Sequence, residues 1–309
     1  MVRIAIVIPT FNSAKTLAET LDSVQNQKML ERVSAVYIAD DCSEDNSLVL
    51  AQSTWRASVP LHTLRRTLNM GERDNVNNAL SIIGRSSDWI LLLHSDDTAK
   101  PVWLEMMIHR IDNCSDNVGS ICSSWDMLMP DLSIIPGEND LHRQVEVICG
   151  DVEEVRGTVK RGCWWHISGC AIRLATIEDV GGFKTHMAQV GDWEWLLRCL
   201  NKGWDVEYIP RTLILYRQHE TSVSQKSFLS DRDIIESLEV IRQYKPHLRI
   251  KEIVDIHARY CKYASRRFAR ALVELRFKRC LIVVTSTFLI VLNFVKCLFG
   301  RNFQDKLSG

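Results

Sequence analysis

The chain of 309 residues has no net charge: 38 Lys and Arg stand against 38 Asp and Glu. Without a global positive field it is not expected to take nucleic acid as a partner. Its ten cysteines include no C-x-x-C spacing, and there is no paired-His motif, so neither a zinc site nor a disulfide framework is expected. Internal repeats and low-complexity segments are absent, which argues against a solenoid or a disordered linker. The opening MVRIAIVIPTFN has an apolar run too short for a signal peptide and no cleavage site. The catalytic part is therefore expected in the reducing cytosol. The basic residues are unevenly placed. Between Arg259 and Arg301, Glu274 is the sole acid among Arg259, Lys262, Arg266, Arg267, Arg270, Arg276, Lys278, Arg279, Lys296 and Arg301. Such a patch suits anionic lipid headgroups.

What is present is an alternation. Ile4 to Ile8 is a short apolar run closed by Pro9, the pattern of a buried parallel strand. Asn12 or Ser13 can cap the helix that follows, with Leu17, Leu21 and Val24 on one face. Val33 to Ala39 reads as a second strand, Ser47 to Trp55 as a helix and Leu61 to Leu64 as a third strand. The polar loop NMGERDN leads to a helix ending near Gly84, and Trp89 to Leu93 is a fourth strand. Pro101 sits where a helix tolerates it in its first turn. The order β-α-β-α-β-α-β predicts a parallel sheet with ligands beyond its carboxyl ends. Residues 126 to 165 read as loops or hairpins. A strand near Ile167 to Ile172 follows, then a short helix to Val180 and a helix from Trp193 to Lys202 stopped by Gly203. Two short strands around Val206 and Leu215 come next, and from Phe228 the pattern is helical.

Polar residues gather at the strand ends. Asp96 and Asp97 repel each other unless a cation neutralises them, and a divalent ion bridging a diphosphate would do so. The pair reads equally as acids favouring a helix N-terminus. Asp41, in IADDCSEDNS, can accept the imide N–H of uracil or serve turn chemistry. Thr10 and Phe11 can line the same base pocket. Asp192 at a helix start can be a general base or an N-cap, with Glu194 as the alternative base. Arg217 and His219, in LYRQHETS, can hold a diphosphate or complete a metal shell. Trp164 and Trp165 can stack on a sugar, although core packing is the commoner fate of tryptophan.

The order VIPTFN, IADDCSEDNS, NMGERDNVNNAL, LLLHSDDTAKPVWLE, SGCAIRLATIEDVGGF, GDWEW and YRQH resembles the inverting glycosyltransferases of family 2, from about Val2 to His219. That resemblance implies the α/β GT-A fold, a Rossmann-like, mostly parallel sheet flanked by helices. It implies Asp192 as catalytic base, Pro9, Thr10, Phe11, Asp41, Asp96 and Arg217 on the nucleotide sugar, and Asp97, Asp96 and His219 at Mn²⁺ or Mg²⁺. Gly181, Gly182 and Phe183 match the family's turn before the base. Three positions depart from the pattern: His94 and Gly191 replace acids, and Val76 stands where Arg is common. The implied reaction transfers a sugar, from a UDP-sugar above all, to a lipid-linked saccharide acceptor with inversion. The implied setting is bacterial surface-polysaccharide assembly (O-antigen or capsule type). Two other readings are a sugar nucleotidyltransferase, which would need a Gly-rich basic loop where PTFNSAK stands, and a non-catalytic membrane-bound scaffold.

Three regions are expected: 1–220 catalytic, 221–279 helical with the basic patch, and 280–300 an apolar membrane-associating helix. Within Leu281 to Phe299, Thr285, Ser286, Asn293 and Lys296 share one side of a helical wheel. The uninterrupted stretch before Lys296 is shorter than the ~20 residues of a span, which favours a helix lying in the surface over one crossing it. The place expected is the cytoplasmic face of the inner membrane.

Overall fold

The structure, a computed structural model, describes residues 2–84, 86–219 and 223–299. They form two units. One comprises the chain up to Asp151 together with Trp164–His219; the other comprises Val152–Cys163 and the helices that follow residue 222.

In the first unit every residue of β1 (Ile4–Thr10) is buried, as a strand covered on both faces requires. α1 (Leu17–Gln25) turns Leu17, Leu21 and Val24 inward. β2 (Val33–Asp40), α2 (Ser47–Thr54), β3 (Leu61–Arg65), α3 (Glu72–Ile83) and β4 (Trp89–Leu92) complete the expected alternation. β1 pairs in parallel with β2 and β4, and β2 with β3, so Thr10, Asp40 and Leu92 end along one sheet edge. β5 (Thr98–Ala99), α4 (Trp103–Asn113), β6 (Val118–Leu128), β7 (Ile134–Ile135) and β8 (Glu146–Ile148) come next. After α5 (Val152–Arg161), which belongs to the second unit, the first resumes with β9 (Ala171–Arg173), α6 (Leu174–Val180), α7 (Gly191–Asn201) and β10 (Asp205–Arg217). The sheet order is β3-β2-β1-β4-β9-β6-β10-β5. β9 runs antiparallel between β4 and β6, whereas β10 is parallel to β6 and antiparallel to β5. The α/β class and the mostly parallel sheet flanked by helices are as expected.

Several local expectations are corrected. Neither Asn12 nor Ser13 is the N-cap of α1. Thr16 holds that place, because the Ser13 carbonyl accepts the Thr16 and Leu17 N–H groups in a preceding turn. Asn12 adopts φ 49° and its side-chain oxygen accepts the Glu44 N–H at 2.8 Å. Pro101 lies before α4, whose N-cap is Val102. The strand near Ile167 is confined to Ala171–Arg173, since Gly169 (φ 85°) turns the chain there. The two strands around Val206 and Leu215 are one, β10, with register shifts beside Pro210 where no amide can donate. Within 126–165, β7 pairs with β6 as a hairpin strand does, but β8 pairs with the distant β10 and Val152–Arg161 is a helix.

In the second unit α8 (Val223–Ser230), α9 (Arg232–Tyr244), α10 (Ile250–Val273) and α11 (Phe277–Phe299) pack with α5. The buried Asp231 carboxylate receives Arg267 at 2.8 Å and Arg279, so two cations of the basic stretch are turned inward. Lys262, Arg266, Arg270, Arg276, Lys278 and Lys296 are exposed. α11 is long and apolar enough to cross a membrane by length and composition, with mean hydropathy 2.2. Its polar stripe is divided: Thr285 and Lys296 are exposed, whereas Ser286 and Asn293 are turned inward. Ser286 is buried, and Asn293 donates to the Leu238 carbonyl at 3.0 Å and lies 3.0 Å from His257 Nε2. The outward face is Leu281, Val284, Phe288, Val291, Val295 and Phe299.

Candidate active site

The residues singled out in the sequence collect at the carboxyl ends of β1, β2 and β4. The Asp41 N–H donates to the Thr10 carbonyl at 2.9 Å, joining the first two strand ends. The Thr10 hydroxyl donates back to Ile8, and Phe11 beside it is 47% exposed. Pro9, inside β1, pairs with Ala39. The buried Asp41 carboxylate accepts the Met70 N–H at 3.0 Å and the Gly71 N–H at 2.7 Å, with Arg66 at 3.8 Å. It thereby fastens the NMGERDN loop to the end of β2. Gly71, at φ 90°, supplies the left-handed conformation that this approach needs.

After β4 the chain turns through His94, Ser95, Asp96 and Asp97. Ligand atoms of His94, Asp96 and Asp97 all lie within 4.8 Å of one another. Asp97 has no exposed surface. Its Oδ1 accepts the Arg217 N–H at 2.9 Å, while Oδ2 makes no hydrogen bond among the described residues, with His94 Nδ1 at 3.9 Å and the Ser168 hydroxyl also acting on the carboxylate. Burial and the neighbouring Asp96 push the Asp97 carboxyl up to about 7. Burial works the same way on Asp96, but His219 Nε2 at 2.9 Å outweighs it and holds that carboxyl low. A buried carboxylate oxygen that makes no hydrogen bond among the described residues, beside a second acid and an imidazole, is a donor set that suits a hard divalent cation. His219 reaches this group through Asp96; His94, read in the sequence only as a departure, stands inside it.

Arg217 lies across the same turn. Its Nε donates to the Asp96 carbonyl at 2.9 Å and its guanidinium pairs with Glu19 at 2.6 Å. Thr20 Oγ1 donates to the Asp97 carbonyl at 2.8 Å, so α1 holds the turn from the other side.

Asp192 is in the first turn of α7 but is not its cap; Val190 occupies that position. Its carboxylate pairs with Arg73 and accepts the Ile167 N–H at 3.4 Å. Glu194, the alternative base, is fully buried and bound by Arg198 at 2.9 Å and Lys184 at 2.9 Å, which removes it from the site. Trp165 packs in the core against Trp195 and Phe183 rather than lining a sugar site, and its indole N–H donates to Ser120 at 2.9 Å. Trp164 is half-buried against Tyr208.

Three residues of the site escaped the sequence reading. Glu72 and Arg73 open α3 directly after the Asp41-bound loop. Glu72 Oε1 lies 3.2 Å from His94 Nε2 and 3.4 Å from Arg73. Burial opposes its charge, yet Arg73 and His94 hold its carboxyl well below the usual range. Glu72, with Asp97 and Asp96 behind it, raises His94 to about 9 against its own burial. His166 is the third. It packs on Trp125 and Tyr216, with ring centroids 4.9 and 4.7 Å away, and burial lowers its pKa. The signal for Glu72 and Arg73 was a charged pair at a helix start, which helix chemistry alone explains.

A metal-capable acidic turn at the end of a parallel strand, facing a loop fastened to the next strand end, is the arrangement of a nucleotide-diphosphate site on an α/β sheet. The profile described as Glycosyl transferase family 2 matches residues 5–126, so the resemblance read from the motifs holds over β1 through most of β6. The chain is 33% identical over 95 residues to the poly(ribitol-phosphate) beta-glucosyltransferase of Bacillus spizizenii, covering 31% of this chain and 15% of that protein. Among solved structures it is similar to Staphylococcus aureus TarS 1–349 in complex with UDP-GlcNAc. The TM-score is 0.65 at 16% identity, over 96% of this chain and 81% of that one. It is also similar to GalNAc-T7 with UDP, GalNAc and Mn²⁺, with TM-score 0.58 at 12% identity over 78% and 48% of the two chains. These likenesses show the GT-A fold. The chain resembles family 2 glycosyltransferases and, among them, bacterial surface-polysaccharide enzymes.

Proposed function

We propose that this protein transfers a sugar from a nucleoside diphosphate, a UDP-sugar above all, to a saccharide acceptor in bacterial surface-polysaccharide assembly. The observation that carries the reading is the group His94, Asp96 and Asp97, with ligand atoms within 4.8 Å, at the end of β4 in a family 2 segment. Asp97, Asp96 and either His94 or His219 would hold Mn²⁺ or Mg²⁺. Such an ion, when bound, supplies positive charge to the leaving diphosphate. Thr10, Phe11 and Asp41 receive the base. Arg217 turns from Glu19 toward the phosphates. Asp192 takes the proton of the acceptor hydroxyl as that oxygen bonds to the anomeric carbon. The bond from the anomeric carbon to the diphosphate oxygen breaks on the opposite face, UDP leaves with the electron pair, and the anomer inverts.

The outward face of α11, apolar and flanked by the exposed Lys262, Arg266, Arg270 and Lys278, supports attachment to the cytoplasmic face of an anionic membrane. A lipid-linked acceptor fits that location. The catalytic region 1–220, the basic helical region 221–279 and the apolar helix 280–300 then correspond to chemistry, electrostatic attraction and insertion.

The test is a screen of UDP-sugars with purified full chain, Mn²⁺ and lipid-linked monosaccharides, with the product anomer read by NMR. Transfer with inversion, lost on chelation and in Asp97→Ala, is the expected result. Full transfer in excess chelator, or a retained anomer, overturns the metal or the single-displacement part. Stronger thermal protection by GDP than by UDP overturns the uridine reading.

A further inference from the structure

Arg73 is buried to within 6% of full enclosure and lies against several groups at once. One terminal nitrogen pairs with Asp192 Oδ1 and lies 3.5 Å from the Ala188 carbonyl; the other is 3.4 Å from Glu72. The guanidinium carbon stands 5.5 Å from the centre of the Phe183 ring. Burying a guanidinium is unfavourable unless carboxylates and other acceptors surround it. Two carboxylates, a carbonyl and an aromatic face therefore hold it in one orientation.

The opening for it is made at position 191. A Cβ there would lie 3.1 Å from Arg73 Nε and 3.6 Å from its Cδ and Cζ. The first is tight enough that the Arg73 side chain must give by a few tenths of an ångström; the other two are ordinary contacts. Gly191 is the first residue of α7, and the next is Asp192. The missing side chain and the arginine are thus two halves of one arrangement: the gap at 191 lets a cation from α3 reach the carboxylate at 192. Glu72, the other acid on this arginine, is the one that meets His94. A continuous run Asp192, Arg73, Glu72, His94 connects the start of α7 to the turn after β4.

We propose that Arg73 is a positioning residue for the base, fixing the Asp192 carboxylate plane toward the acceptor, and that Gly191 is required to admit it. This rests on the reading of Asp192 as base. Asp192 Oδ2 accepts the Ile167 N–H at a long 3.4 Å. Without Arg73 the carboxylate rotates about its side-chain bonds, and fewer encounters have an oxygen facing the hydroxyl. The loss falls on turnover rather than on binding, because the group Arg73 holds is the one that takes the proton.

The test compares Arg73→Met, Arg73→Lys, Gly191→Ala and Asp192→Asn in the full chain. The probes are UDP-GlcNAc and UDP-glucose with lipid-linked monosaccharides. Arg73→Met is expected to lower kcat 10- to 100-fold, with both KM values within twofold, and Arg73→Lys to recover a large part. Gly191→Ala, which favours the helix, is expected to fold as well as the parent and still lose turnover. In an Asp192→Asn background, Arg73→Met should cost no further rate. Multiplying losses in that background, or a KM effect alone, overturns the proposal; near-normal transfer by Asp192→Asn itself overturns the reading of the base instead. A substrate-free arm uses urea midpoints. Arg73→Met and Asp192→Asn together should shift the midpoint by clearly less than the sum of the single shifts. Additive shifts mean that Arg73 does not hold Asp192.

Discussion

Replacing Asp97 by Asn should make the metal-free protein more stable while removing its response to Mn²⁺. The Asp97 carboxyl has no solvent exposure and is displaced upward to about 7 by burial and by Asp96. An ordinary Asp ionises near pH 4, so the displacement is about three units, and at ~1.4 kcal/mol per unit its ionised form carries a penalty of about 4 kcal/mol. The sign follows from proton counting. At pH values below both ionisations, folded and unfolded chains are alike protonated and the group contributes nothing. Between about pH 4 and pH 7 the unfolded chain gives up its proton while the folded one keeps it, so stability falls as pH rises, and above that window the loss is complete. Asn at 97 keeps an oxygen for the Arg217 N–H but brings an amide into a site built for a carboxylate, which reduces the gain to about 1–3 kcal/mol. All nine tryptophans lie in the first unit, so their fluorescence in a urea titration follows that unit alone. With EDTA the variant should exceed the parent at pH 8 and fall below it near pH 4, where only the cost of the amide remains; with Mn²⁺ the parent should gain and the variant should not. An Asn variant equal to or weaker than the parent at pH 8 in EDTA would refute the electrostatic reasoning.

Asp192→Asn should fold normally and bind UDP as the parent does, while transfer falls by about two to four orders of magnitude, the range of a general base; single-turnover kinetics with calorimetry separate the two. Glu194→Gln should instead cost about 3–5 kcal/mol of stability, because it leaves Arg198 and Lys184 without their buried partner; a urea titration that finds no loss excludes the structural role. Gly169→Ala should destabilise by about 2–5 kcal/mol, adding a left-handed backbone penalty to overpacking. The new Cβ would fall 2.2 Å from Ile214 Cγ1 at φ 85°, and an unchanged midpoint would exclude that packing. Serine at Leu281, Phe288 and Val295 together should reduce cosedimentation with anionic vesicles in high salt, where charge attraction is screened and apolar burial is not; full retention would point to a protein partner on that face.

Legibility in the sequence followed how local each cause is. β1, β2 and β4 announce themselves because burial on both faces demands unbroken apolar runs. β6 did not, since VGSICSSWDML reads as polar. Its serines are buried nonetheless: the Ser120 hydroxyl donates to the Ala171 carbonyl at 2.8 Å, a partner 51 positions away that no local pattern encodes. α5 was missed for a related reason. Val155, Thr158 and Val159 form its buried side, but charges surround them and Gly157 interrupts the run. Pro210 split β10 in the reading, whereas register shifts carry the strand past it. At the candidate site, Asp41, Asp96, Asp97, Asp192, Arg217 and His219 were singled out by the order of motifs. The link between Arg73 and Asp192 was not, because it joins two segments more than a hundred residues apart.

The placement of β10 bears on the order in which a ribosome can complete this protein. Strands β1 to β4 and their helices meet neighbours made shortly before them, so the edge carrying Thr10 and Asp41 can assemble while the chain is still growing. β5 has β10 as its partner in the sheet, and the Asp97 carboxylate accepts its amide hydrogen from Arg217, 120 positions downstream. Until residue 217 has left the exit tunnel, the acidic turn therefore lacks the strand that shapes it. In the proposed function, the base pocket is then an early product of synthesis and the cation site a late one. Nascent chains halted before β10 should already recognise uridine while remaining indifferent to manganese.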